Sequence, residues 1–144
     1  MSYEDGAHIL HKESLKIEKL KQQMQSRQAA VKRLLKKLKS DKREGIIVHN
    51  EHISNQIMYC QQFIKATEEQ IERCEQVKTS VERVYPSLQE LVKPSMTIAS
   101  LRRLINSTKE FNKSFRKVLG QIDAYYNKLV DYDSYVRYVQ ESRV

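Results

Sequence analysis

Apolar residues recur along this chain with the alternating three-and-four step of helices that pack side by side. Over residues 8–40, Leu10, Ile17, Met24, Val31 and Leu38 fall every seven residues. Leu20 and Leu34 occupy the second seam position, and Glu13 and Arg27 interrupt it. Over 46–85 the seam reads Ile53, Ile57, Cys60, Ile64, Thr67, Ile71, Cys74, Lys78, Val81 and Tyr85. Over 97–141 it reads Leu101, Leu104, Thr108, Phe111, Phe115, Val118, Ile122, Tyr125, Leu129, Tyr132, Val136 and Val139. Only Thr108 of that last series is not clearly apolar. A helix of about 45 residues spans roughly 68 Å.

The breaks between these stretches are short. Ser40 to Gly45 forms the first turn, where Gly45 can take the left-handed conformation that closes a helix. The seam phase jumps from Leu38 to Ile46, which favours a hairpin over one rod, and Asn50 can cap the second helix. Pro86 ends or kinks that helix, a helical turn over 87–92 follows, and Pro94 stops it. Ser95 or Thr97 opens the third helix.

Three long amphipathic helices predict an all-α fold, a long antiparallel bundle of coiled-coil type, as one elongated domain over residues 1–144. Leu35, Phe63, Val77, Leu119 and Val130 lie beside the seams and widen each apolar stripe enough for a third helix or a partner. With these boundaries the third helix overhangs the first. Its C-terminal stripe of Ile122, Tyr125, Leu129, Tyr132, Val136 and Val139 is then the expected partner-binding surface.

Composition narrows the class. Three glycines and two prolines in 144 residues are too few for the frequent turns of a β-rich domain. No apolar run approaches the roughly 20 residues that span a bilayer. The residues from Met1 to Asp5 lack the basic and apolar regions of a secretory signal, so a cytoplasmic location is the expectation. Cys60 and Cys74 would lie about 21 Å apart on one helix, too far for a bridge within the chain. They read as buried thiols or, alternatively, as a link between two copies.

Charge changes the picture more. The chain carries a net charge of +8, and residues 1–45 alone hold twelve Lys/Arg against six Asp/Glu. The excess peaks between Arg27 and Arg43, with Lys32, Arg33, Lys36, Lys37, Lys39 and Lys42 opposed only by Asp41. A basic amphipathic helix of this kind can lie on an anionic membrane or bind nucleic-acid phosphates. The plainer reading is a solvated face whose cations suit a helix C-terminus. Glu68, Glu69, Glu72 and Glu75 on the second helix could pair with these lysines across the hairpin.

Signs of catalysis are weak. Gly6, Gly45 and Gly120 stand alone, so no phosphate loop is present. His8 with His11, and His49 with His52, have helical spacing but no third ligand nearby, so no metal or cofactor is expected. Asp123, Asp131 and Asp133 read as exposed carboxylates rather than a general-acid pair. Asn106 and Asn112 match the glycosylation pattern, which has no use without secretion. The chain reads as a non-enzyme. Tyr125, Tyr126, Tyr132, Tyr135 and Tyr138 can stack on unpaired bases, but with few local cations they fit the role of interface anchors better.

Residues 63–138 resemble the N-terminal helical region of the seventy-kilodalton exocyst subunit. The similar stretches are Phe63-Ile64-Lys65, Leu88-Gln89-Glu90-Leu91-Val92-Lys93-Pro94, Leu101-Arg102-Arg103-Leu104 and Ile122-Asp123-Ala124-Tyr125-Tyr126. The resemblance implies assembly of a vesicle-tethering complex through paired long helices. Two function classes follow. One is a helical scaffold subunit that packs against other helical subunits or a second copy of itself. The other is a basic module that binds nucleic acid or an anionic membrane through residues 27–43.

Overall fold

The computed structural model describes residues 1–45, 51–89 and 96–141, with the side chains of 85–89, 136 and 139–141 outside the description. The chain is an all-α helical bundle. It has three helices, α1 (Tyr3–Arg43), α2 (Glu51–Gln89) and α3 (Ile98–Glu141), and no strand among the described residues. The expected N-cap Asn50 and the residues 90–92 of the expected helical turn lie outside the described residues.

Helix ends differ from expectation in two places. α1 begins at Tyr3 rather than near His8 because Ser2 caps it. The Asp5 amide donates to Ser2 Oγ at 3.1 Å, and the Ser2 amide donates back to the Asp5 carboxylate at 3.4 Å. This reciprocal arrangement satisfies amides that the first turn leaves without partners. α2 runs through Pro86 to Gln89, so the proline does not terminate it and residues 87–89 belong to α2. A proline removes one hydrogen bond and crowds the preceding turn, a cost that a helix packed on one face can absorb. At the other ends, Gly45 has a φ of 74°, the left-handed value, and Thr97 Oγ1 accepts the Ser100 amide at 3.1 Å to cap α3.

The chain divides into two compact units, and each helix contributes a segment to both. The first unit is residues 1–23 with 70–119, and the second is 24–69 with 120–144.

In the first unit, α1 and α2 are antiparallel: Lys78 bonds Glu18 at 2.6 Å, and Lys21 bonds Glu75. Its core contains Ala7, Leu10, Val81, Leu101 and Ile105, with Tyr3, Ile9, Val84, Met96 and Leu104 packed around them. A Cβ on Gly6 would lie 2.3 Å from Leu101 Cδ2 and 3.0 Å from its Cγ. Only a residue without Cβ lets these helices approach so closely. Two of the polar residues buried in this unit pair with each other. Asn112 Nδ2 donates to Glu13 Oε2 at 2.7 Å and to the Glu13 carbonyl at 3.2 Å. Glu13, read as a seam interruption, is therefore a buried partner across α1 and α3. Burial opposes its ionisation, but hydrogen bonds from Lys16 and Asn112 outweigh that and hold its carboxyl below the ordinary value.

In the second unit, Met24, Val31, Leu38, Ile53, Cys60, Phe63, Ile122 and Leu129 are buried. Phe63 packs its ring 5.5 Å from that of Tyr125 and 6.4 Å from that of Tyr126. Here α1 and α3 run parallel. Arg27 Nε donates to Asp123 at 2.8 Å, and Arg137 Nη1 donates to Asp41 at 2.7 Å.

Each helix shows the same cross-section. A seven-residue row is fully buried, as with Ile53, Cys60, Thr67, Cys74 and Val81 on α2. On α2 the other expected seam row, Ile57, Ile64, Ile71 and Lys78, is only half-buried, while Gln56 and Phe63 on the opposite flank are buried. A helix meeting two neighbours needs two flanks, and the row between them is the one shielded from water. Threonine fits this row because its hydroxyl bonds backward: Thr67 Oγ1 donates to the carbonyls of Phe63 and Ile64 at 2.9 Å.

Candidate functional site

The expected partner-binding stripe lies in the second unit. Ile122 and Leu129 are buried there, and Tyr125 and Tyr132 are half-buried. Val136 and Val139 lie outside the described side chains. The expected overhang of α3 beyond α1 is absent among the described residues. α1 extends to Arg43 and runs parallel to α3 here, with Arg27 on Asp123 and Arg137 on Asp41, so residues 122–137 lie alongside it. The described apolar members of the stripe are covered by this chain's own helices. Gln56 Nε2, itself buried, donates to the Leu129 carbonyl at 2.9 Å, and the Tyr125 hydroxyl donates to the Tyr59 carbonyl at 3.2 Å. Ile122 and Leu129 are thus core residues of the second unit.

What the stripe leaves at the surface is a row of tyrosine rings. A groove of about 470 Å³ runs between α2 and α3 in this unit. Tyr59, Tyr125, Tyr132, His52 and Lys128 line it, over a floor of Gln56 and Leu129. The ring of His52 stands 6.5 Å from that of Tyr132. Burial pushes the phenols of Tyr125 and Tyr132 above their ordinary value, so both are neutral hydrogen-bond donors near neutral pH. Tyr59 is 43% exposed, and Tyr135 and Tyr138 on α3 are 64% and 70% exposed. Sequence reasoning missed Tyr59 and Gln56. The available signal was Gln56 lying one heptad before Phe63, on the flank of α2 that turns toward α3.

Next to the groove stands a partly buried ionic cluster. Arg137 joins Asp41 of α1 and Asp133 of its own helix, the latter at 3.0 Å. Asp133 Oδ1 and Arg137 Nη2 are buried and make no hydrogen bond among the described residues. Asp133 is therefore not the exposed carboxylate that its sequence position suggests, whereas Asp131 is exposed.

The basic stretch behaves differently. Lys32, Arg33, Lys36, Lys37 and Lys39 are all exposed. Among the described residues none of the five forms an ion pair. The expected pairing with the acidic run of α2 does not occur there: Glu75 takes Lys21 instead. The reason is register. Gln28 donates to the carbonyl of Ile64, so the antiparallel α2 segment beside residues 32–39 precedes Ile64 and holds no carboxylate after Glu51.

The remaining candidates are the cysteines and histidines. Burial pushes the Cys60 thiol up to about 11 and the Cys74 thiol up to about 12, which keeps both protonated and unreactive. His8, His11 and His52 are exposed, and His49 lies outside the described residues. No group of three His, Cys, Asp or Glu gathers as a metal site among the described residues. Among the same residues, no helix is long and apolar enough to cross a membrane. Comparison with known proteins finds no match to the chain, whether a family model, a curated protein or a solved structure.

Proposed function

We propose that this protein is a non-enzymatic scaffold subunit that docks other helical subunits, or a second copy of itself, on the α2–α3 face of its second unit. The observation that carries this reading is the tyrosine-lined groove. Tyrosine offers a large apolar ring with a polar tip and loses little rotamer freedom on binding, which makes it a common interface anchor. Tyr59, Tyr125 and Tyr132 line the groove, and Tyr135 and Tyr138 extend the aromatic surface of α3. The resemblance of residues 63–138 to the seventy-kilodalton exocyst subunit extends the reading to a vesicle-tethering complex in the cytoplasm.

The experiment is affinity purification of the full chain from its native cell in high salt, beside light scattering of the isolated protein. The expected outcome is a partner, or a second copy, retained by the wild type and lost from Tyr59→Ala with Tyr135→Ala. Both side chains are exposed enough for these changes to leave helicity intact by circular dichroism. A monodisperse monomer with no salt-resistant partner would overturn the reading, as would partners that the double variant retains.

A further inference from the structure

We propose that the solvent face of α1 over residues 32–39 binds the phosphate backbone of duplex DNA without regard to sequence. This does not depend on the assembly role proposed above.

The first support is density: five exposed cations fall within eight residues of α1. Cations that lie between helices are neutralised, as Arg27 is by Asp123 and Arg137 by Asp41. Lys32, Arg33, Lys36, Lys37 and Lys39 are exposed and hold no carboxylate among the described residues. Asp41, the nearest carboxylate in sequence on α1, is buried against Arg137. The run is therefore a dense, exposed patch of cations without ion-pair partners among the described residues.

The second support is shape. At 3.6 residues per turn the five side chains fan over roughly 160° of the helix surface. Val31 and Leu38, at 0% and 1% exposure, occupy the opposite side. A helix with its side chains is about 10–12 Å across, and the major groove of B-form DNA is about 12 Å wide. A cationic fan on such a cylinder can reach phosphates on both walls of that groove. Four of the five are lysines, compact point charges that suit phosphates rather than the bidentate reading of bases.

The third support separates DNA from a bilayer. A basic helix that settles into a membrane inserts its apolar face. Here that face is committed to the core of the second unit, and no large apolar residue is exposed between Lys32 and Lys39.

The test is fluorescence anisotropy of the full chain with a mixed-sequence 20-base-pair duplex (about two turns of B-form helix), as salt rises from about 50 to 200 mM. Neutralising four or five phosphates implies a slope of log affinity against log salt near −4, a loss of about 150- to 500-fold over that range. K32Q/R33Q/K36Q/K37Q should flatten the slope to about −1 and lower affinity at least 100-fold at about 50 mM salt, with helicity unchanged. R102Q/R103Q/K113Q/K117Q removes the same charge from exposed positions of the first unit and should retain most of the binding. Absence of binding at low salt would overturn the proposal, as would equal loss in the two quadruple variants. Tighter binding to phosphatidylserine vesicles than to the duplex would also overturn it, by assigning the face to lipid.

Discussion

The two units are built from the same three helices, yet their polar and aromatic residues are disposed differently. In the first, one set of charges is turned inward or paired between helices. Glu13 is buried with Asn112, and Glu18, Lys21, Glu75 and Lys78 form one network. In the second, α1 sends five unpaired cations to solvent, and α3 exposes tyrosines. A bundle segment that only has to be stable gains from pairing its charges, even though each exposed pair contributes little. Unpaired cations and exposed aromatic rings add nothing to folding and fit recognition better. The contrast places a charge network that supports packing in the first unit, and in the second the surfaces proposed for binding.

The strongest way to break that contrast is to ask whether the second unit tolerates loss of its aromatic centre. Phe63 is fully buried against Tyr125 and Tyr126. Phe63→Ala should cost about 3–5 kcal/mol, read from urea unfolding followed by circular dichroism. It should also collapse the groove, because Tyr125 would lose its packing wall. A cost near zero would mean that the ring cluster is not a core.

Much of this organisation was legible in the amino-acid pattern. The seven-residue rows located three helices and most of the buried residues. Glu13 and Arg27 were visible as interruptions, but their partners were not. Asn112 and Asp123 lie about a hundred residues away, and only the parallel register of α1 and α3 brings them together. The start of α1 was hidden because its cap, Ser2, lies eight residues before the first seam residue Leu10, and the close approach of Leu101 to Gly6 leaves no mark in the heptad pattern. The expected overhang was lost to the parallel register, which sets the C-terminal part of α3 beside the C-terminal part of α1. Two seam positions per heptad describe a helix with one neighbour, and the flank carrying Gln56 and Phe63 matters only when there are two.

The close approach at Gly6 sharpens the comparison next. Gly6→Ala would set a methyl group against Leu101 Cδ2 closer than real Cβ atoms come, so the fully buried Leu101 side chain would have to shift. Overpacking of this kind costs about 1–3 kcal/mol, more than the roughly 1 kcal/mol that alanine returns as a better helix former. A net loss of about 1 kcal/mol, visible as a lowered Tm, is the expected outcome.

The charge network of the first unit makes a pH prediction. Hydrogen bonds from Lys78 and then Lys21 hold the Glu18 carboxyl down to about 2, against an ordinary 4.5. A depressed carboxyl contributes stability above its unfolded value and loses it as pH falls through the folded one. This contribution is therefore complete above about 4.5 and fades toward 2. Glu18 is partly exposed and screened, so its share is about 1 kcal/mol. Glu18→Gln should cost that amount at pH 7 and flatten the fall of stability with acid. An unchanged acid profile would show that the network carries no weight in solution.

The smallest effect has the opposite sign. Gly120 lies inside α3, is exposed, and has nothing within 4 Å of where a Cβ would stand. Glycine inside a helix loses more backbone freedom on folding than alanine does, and no close neighbour here requires it. Gly120→Ala should therefore raise stability by about 0.5–1 kcal/mol without altering the groove or the basic face. Thermal unfolding gives the stabilisation, and duplex binding at low salt gives the control. The pair of glycines then separates two origins of the same residue: in the first unit it permits contact between helices, and in α3 it only loosens the backbone. If Gly120→Ala instead destabilised the protein or weakened either binding activity, this exposed stretch of α3 would have to be packed against a partner that the alanine methyl obstructs. The docking surface would then extend from the tyrosines toward Gly120 along α3.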